Sequence, residues 1–130
     1  MKYKKYYIEN SQGKSNCVIR SLCKVFNKDF DFIYDELCNI QKELNCDSFN
    51  DIEVFEMYMK GNGINKIEYD KDIKIKDLKL DNGTYIIFCS DKKDFYHMVA
   101  VIDNILYDKN NNSLELYTIS IYKQKALADS

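Results

Sequence analysis

The feature that most constrains this chain is a change of periodicity at "GNGIN", residues 61–65. Before it, apolar residues recur at helical spacing; after it, β-branched and aromatic residues come in short runs divided by turn residues. From Cys17 the positions Val18, Ile19, Leu22, Cys23, Val25 and Phe26 form a wide helical stripe, with Ser15 or Asn16 placed to cap the first amides. A second helix is expected from about Phe30 to Leu44, capped by Asp29, with Phe30, Ile33, Tyr34, Leu37, Ile40 and Leu44 inward. A third runs from about Asp51 to Lys60 on the stripe Ile52, Val54, Phe55, Tyr58 and Met59, and Gly61 closes it as a C′ glycine.

The strands expected around and after these helices are short. Tyr3–Ile8 reads as a basic-faced edge strand and "KIEYD" (66–70) as another, whereas "KDIKIKDLK" (71–79) fits a strand or a short helix equally well. "TYIIFCS" (84–90) and "FYHMVAVID" (95–103) form a hairpin across the "DKKD" turn, followed by "NILYD" and "SLELYTISIYK". The last run breaks phase near Thr118, the mark of a bulge. Helices first and an antiparallel sheet afterwards predict an α+β domain with the helices on one side of the sheet. Residues 1–130 read as one domain, helical over about 16–62 and sheet over about 64–123, with a fraying tail "KALADS". A chain of this length buries roughly two-thirds of its unfolded surface, enough for one core.

Charge narrows the function classes. The formal net charge is -2 with both signs interspersed, so no basic stripe suits duplex nucleic acid, and "MKYKKYY" alone would have to serve single strands. Nucleic acid is therefore not an expected partner. No apolar run approaches the ~18 residues of a membrane span, and the N-terminus lacks the apolar core of a signal peptide. A soluble, cytoplasmic protein is expected. Its five cysteines (Cys17, Cys23, Cys38, Cys46 and Cys89) are an odd number without a C-x-x-C pair, and one histidine cannot complete a Cys2His2 set. Reduced thiols, no metal and no cofactor follow as expectations, with Cys23 and Cys89 as core and Cys38 and Cys46 partly exposed.

Cys17 and His97 carry the chemistry. Cys17 opens a helix behind a glycine turn, where the helix N-terminus favours a thiolate. His97, the one histidine, lies near the start of a strand with Phe95, Val99 and Val101 on one face and Tyr96, Met98, Ala100 and Ile102 on the other, the pattern of a central strand covered on both sides. Alone it reads as a core histidine satisfied by a carbonyl; beside Cys17 it could supply an imidazolium. Its tautomer needs an acceptor. Asp108, ending "NILYD" after a tight return at Asp103–Asn104, is placed for that, with Asn110 and Asn111 in reserve. An oxyanion could take the Cys17 amide and a side-chain amide upstream, Gln12 or Asn10.

With "NCVIRSL", "GTYIIF" and "HMVAVIDNILYD" in this order, the chain resembles the papain-like cysteine peptidases, in particular small single-domain bacterial and phage proteins of that fold, and is similar in layout to bacteriocin-leader peptidases. The resemblance spans Asn10 to about Tyr122. It implies Cys17 as nucleophile, His97 as general base and acid, Asp108 as orienting residue and Gln12 as oxyanion donor, and it implies that Arg20 pairs with a carboxylate. Two positions depart from the family pattern: Gln12 lies five residues before the cysteine where six is usual, and Tyr96 precedes the histidine where glycine is common. The implied function is acyl transfer on a peptide or protein substrate through a Cys17 thioester, whether as peptidase, deamidase or transamidase. The departures favour the other reading, a non-catalytic binding module of the same fold that inhibits or decoys a host protein.

Overall fold

The computed structural model describes residues 1–8 and 16–126. In chain order these form β1 (Lys2–Lys5), α1 (Cys17–Phe26), α2 (Phe30–Leu44), α3 (Ile52–Gly61), β2 (Ile64–Ile67), β3 (Thr84–Ser90), β4 (Tyr96–Ile102), β5 (Ile105–Asp108) and β6 (Tyr117–Gln124). Two 3-10 turns, Ile75–Asp77 and Asn111–Glu115, interrupt the second half. The architecture is α+β, as the change of periodicity predicts.

Cap chemistry explains most helix boundaries. The Asp29 carboxylate accepts the Phe32 amide at 2.9 Å, and Asn27 and Asn45 end α1 and α2 in left-handed conformations with φ of 54° and 56°. Two expected caps differ. Asn16 stands at the N-cap of α1 without capping it, because its side-chain oxygen accepts from the Arg20 guanidinium instead; Ser15 lies outside the described residues. Gly61 is the last helical residue of α3, and the glycine that turns the chain is Gly63, at φ 82°. The stripe of α3 also changes: Val54, Phe55, Tyr58 and Met59 are buried, but Ile52 is 49% exposed.

The six strands run in the order β1-β5-β4-β3-β6-β2. The sheet is mixed, which corrects the expected all-antiparallel arrangement: β1 pairs with β5 in parallel, Lys2 opposite Ile105 and Lys5 opposite Asp108. Every other pairing is antiparallel. β1 is an edge strand, as its lysines suggest, but it ends at Lys5 instead of Ile8. Asp103 and Asn104 take positive φ of 50° and 63°, the conformation of a two-residue hairpin turn with the twist of its strands. Between β3 and β6 the register shifts from Phe88–Ser120 to Cys89–Thr118, so Ile119 is the extra residue of a bulge where the phase break lies. The ambiguous run 71–79 holds an isolated antiparallel bridge, Lys74 to Tyr117, and the turn Ile75–Asp77, and residues 113–115, expected in the last strand, belong to the second 3-10 turn.

Alternation sends Ile86, Met98, Ala100 and Tyr122 towards the helices, and Ile87, Cys89, Val99, Val101, Leu106 and Ile121 to the other face. That other face is covered by Ile75 and Leu78, with Tyr3, Leu114 and Leu116 packed around them. The middle of β4 is therefore buried on both sides. Its start is not: Phe95 and Tyr96 are exposed.

Candidate active site

The site forms where β4 and β5 part. Their pairing ends at Ala100–Tyr107. If the register continued, Asp108 would face Val99 and lie diagonal to His97 on the same side of the sheet, within reach of a long side chain. The structure uses that diagonal: His97 Nε2 and Asp108 Oδ2 are 2.8 Å apart. Since Nε2 is engaged with the carboxylate, Nδ1 is the ring nitrogen left for the thiol.

Helix α1 occupies the place that β5 vacates. The Ser21 hydroxyl shares its one proton between the carbonyls of Met98 at 3.0 Å and Cys17 at 2.8 Å, pinning the first turn of α1 against the start of β4. This sets the Cys17 sulfur by the Met98 backbone and the His97 ring, the groups that act most strongly against burial on its thiol. The first intrahelical bond runs from Arg20 N–H to the Asn16 carbonyl at 2.7 Å, so the N–H groups of Cys17, Val18 and Ile19 precede the ladder at the positive end of the helix.

The protonation states follow from these contacts. Burial pushes the Cys17 thiol up, but the hydrogen bond and charge of His97, the Met98 amide and the Arg20 charge outweigh it, leaving the thiol below its ordinary value. Burial lowers His97, yet the Asp108 and Cys17 hydrogen bonds and charges raise it to about 9. Asp108 is held below the usual carboxylate range: burial raises it, and hydrogen bonds from His97, Ser113 and the Lys109 amide overcome that. These contacts act in favour of the charged form of each group, the thiolate of Cys17 and the imidazolium of His97.

Asp108 is 2% exposed and fully committed. Oδ1 accepts from Arg20 Nη2 and from the Lys109 amide, each at 2.7 Å; Oδ2 is shared by His97 and the Ser113 hydroxyl. Arg20 also donates from Nη1 to Asn16 Oδ1 at 2.8 Å, tying the carboxylate back to the residue before Cys17. The ring of Phe95 stacks on His97 with centroids 5.5 Å apart.

Cys17, His97 and Asp108 are therefore brought together, and Arg20 finds its carboxylate in Asp108. Asn110 and Asn111 are not brought to His97: both are exposed, and the Asn110 side chain accepts the Asn112 amide to cap the second 3-10 turn. Gln12 and Asn10 lie outside the described residues. Sequence reasoning missed Ser113, whose signal was the turn-forming run "NNNS" one residue past the aspartate, and the Met98 amide, which no sequence pattern marks. Cys23 and Cys89 are buried, and Cys38 and Cys46 are half-buried. Among the described residues no group of three His, Cys, Asp or Glu side chains could hold a metal ion, and no helix is long and apolar enough to cross a membrane. Compared with protein-family models, curated proteins and solved structures, the chain matches none.

Proposed function

We propose that the protein is a papain-like, cysteine-dependent acyl-transfer enzyme acting on a peptide or isopeptide bond. The observation that carries this reading is the thiol at the start of α1 beside an imidazole that is itself held by a buried, arginine-paired carboxylate. The Cys17 thiolate attacks the carbonyl, forming the S–C bond. His97 Nδ1–H protonates the departing amine as the C–N bond breaks, leaving a thioester on Cys17. Neutral His97 then takes a proton from water as its oxygen attacks the thioester, and the thiolate departs to restore the ion pair. Asp108 keeps Nε2 engaged throughout and offsets the imidazolium charge. Chemistry through a free thiolate suits the reducing cytoplasm, and all five cysteines are unpaired. The Cys17 amide supplies one oxyanion donor, with Gln12 as the second.

The test is a complex mixture of peptides incubated with the protein and read by mass spectrometry. Wild type should give new termini or glutamine deamidation, together with an acyl adduct on Cys17 after acid quenching. Products that persist in Cys17→Ala would overturn the assignment. The binding-module reading draws on one observation, the exposure of Phe95 and Tyr96 beside the site. Under it, Cys17→Ala leaves partner binding intact while Tyr96→Ala weakens it.

A further inference from the structure

Beside Cys17 a slot of about 170 Å³ opens between the first turn of α3 and the beginning of β4. Val18, Phe55, Phe88 and Met98 are among its walls, and the exposed Ile52 of α3 and Tyr96 of β4 line it too. Cys17 and His97 close one end. Among the described residues no Asp, Glu, Lys or Arg lines it, in a chain that is 31% charged. Two larger surface grooves are unlike it: Lys66, Glu68, Asp70 and Lys71 line one, and Lys123 and Lys125 the other.

Ile52 and Tyr96 are 49% and 59% exposed. Single exposed apolar residues are ordinary on any surface. These two converge on one concavity whose floor, Phe55 and Met98, is wholly core. Tyr96 is held there by stacking on Phe88, with ring centroids 5.9 Å apart, so the wall is in place before any ligand arrives. Asn50, held by a hydrogen bond from Ser48, is the one side-chain amide at the slot among the described residues.

We infer that this slot is the specificity pocket of the enzyme and that it takes one leucine- or phenylalanine-sized side chain of a peptide substrate, next to the carbonyl that Cys17 attacks. The inference rests on the acyl-transfer reading. The volume sets the size, since an apolar protein cavity of about 150 Å³ accommodates benzene. The lining sets the polarity, because a carboxylate or ammonium among Val18, Phe55, Phe88 and Met98 would lose water that these apolar walls do not replace.

The test compares N-acetyl-dipeptidyl chloromethyl ketones carrying glycine, leucine, phenylalanine or glutamate at each of two positions. The Cys17 sulfur displaces chloride, and intact mass with site assignment gives the rate, expressed relative to that of iodoacetamide on the same protein. Leucine or phenylalanine at one position should raise the relative rate about 10- to 100-fold over glycine, and glutamate should not. Ile52→Glu should collapse that preference to within about threefold of unity, a change read as a ratio and so independent of any general loss of reactivity. A flat series, or a preference for glutamate, with iodoacetamide reacting rapidly at Cys17 overturns the pocket and leaves the thiolate reading standing. Slow reaction of Cys17 with every reagent, iodoacetamide included, overturns both.

Discussion

Removing His97 should raise the pKa of Cys17 above that of an ordinary thiol. Burial acts upward on this thiol, and the two largest opposing influences are the hydrogen bond and the charge of His97. In His97→Ala only the Met98 amide and the Arg20 charge remain to oppose burial. Asp108 keeps Arg20, Ser113 and the Lys109 amide, so the scaffold loses little. Each unit of pKa gained removes about tenfold of the thiolate at neutral pH but makes what is left about threefold more nucleophilic, for a Brønsted slope of 0.4–0.5. The net loss of rate is therefore only about threefold per unit, and the midpoint of the pH profile is the sharper readout. The assay is iodoacetamide alkylation from acid to alkaline pH with the modified residue identified by mass spectrometry. Burial pushes Cys23 up to about 12, Cys89 higher still, and Cys46 up as well, so these serve as slow internal references. Wild type should show a Cys17 midpoint well below ~8.5 and His97→Ala one above it. Substrate turnover in wild type should fall as pH rises through about 9, where His97 loses its proton, while alkylation does not. A wild-type midpoint at or above the ordinary thiol value, or one that ignores the loss of His97, would refute the reasoning.

Two further outcomes are expected. Asp108→Asn leaves a buried guanidinium without its carboxylate and should cost about 3–5 kcal/mol at pH 7 in urea unfolding. It should also flatten the acid limb: a carboxyl held low in the folded state contributes stability above its unfolded value of ~3.9, and that contribution is lost as pH falls through the lower folded value. Unchanged stability and an unchanged acid slope would show that the network carries no folding energy. In α3, Gly61→Ala fills open space on a helical residue and should stabilise by up to about 1 kcal/mol, whereas Gly63→Ala must hold φ at 82° and should destabilise by about as much or more. Equal effects would mean that the wrong glycine turns the chain.

The three helices were legible because their apolar stripes repeat over 10 to 15 residues and Asp29 marks a start. The hairpin turn at Asp103–Asn104 was legible for a local reason too, since asparagine and aspartate tolerate left-handed backbone. Strand direction was not. A strand of four residues such as Lys2–Lys5 carries no sign of whether its partner runs with or against it, and the chain between β1 and β5 is long enough for either. Ile52 was misplaced because helical spacing shows which side of α3 faces inward but not how far β3 and β4 extend beneath it. In the site, Cys17, His97 and Asp108 could be ordered from sequence because hairpin register places the last two. The roles of Asn16 and Ser113 could not, because they lie just outside α1 and β5, 4 and 5 residues from Arg20 and Asp108, where the pattern leaves the backbone geometry free.

The cost of the site bears on its meaning. Arg20, His97 and Asp108 hold their charges at 8%, 14% and 2% side-chain exposure, in a run of alternating sign that starts at the Cys17 sulfur. Buried ion pairs commonly do no better for stability than apolar residues of similar volume, and breaking one is expensive. A binding module that uses only exposed aromatic residues has no need of such a chain, because leucine or methionine at these positions would pack the same gap between β4 and β5. The pairing is also asymmetric in a way that packing does not require: Arg20 reaches Asn16 on one side and Asp108 on the other, and Asp108 divides its oxygens between Arg20 and His97. Each contact fixes the position or the charge of the imidazole relative to the thiol. Keeping four groups in this register where apolar residues would pack as well favours work done at the sulfur, which is the reading that the alkylation profile tests.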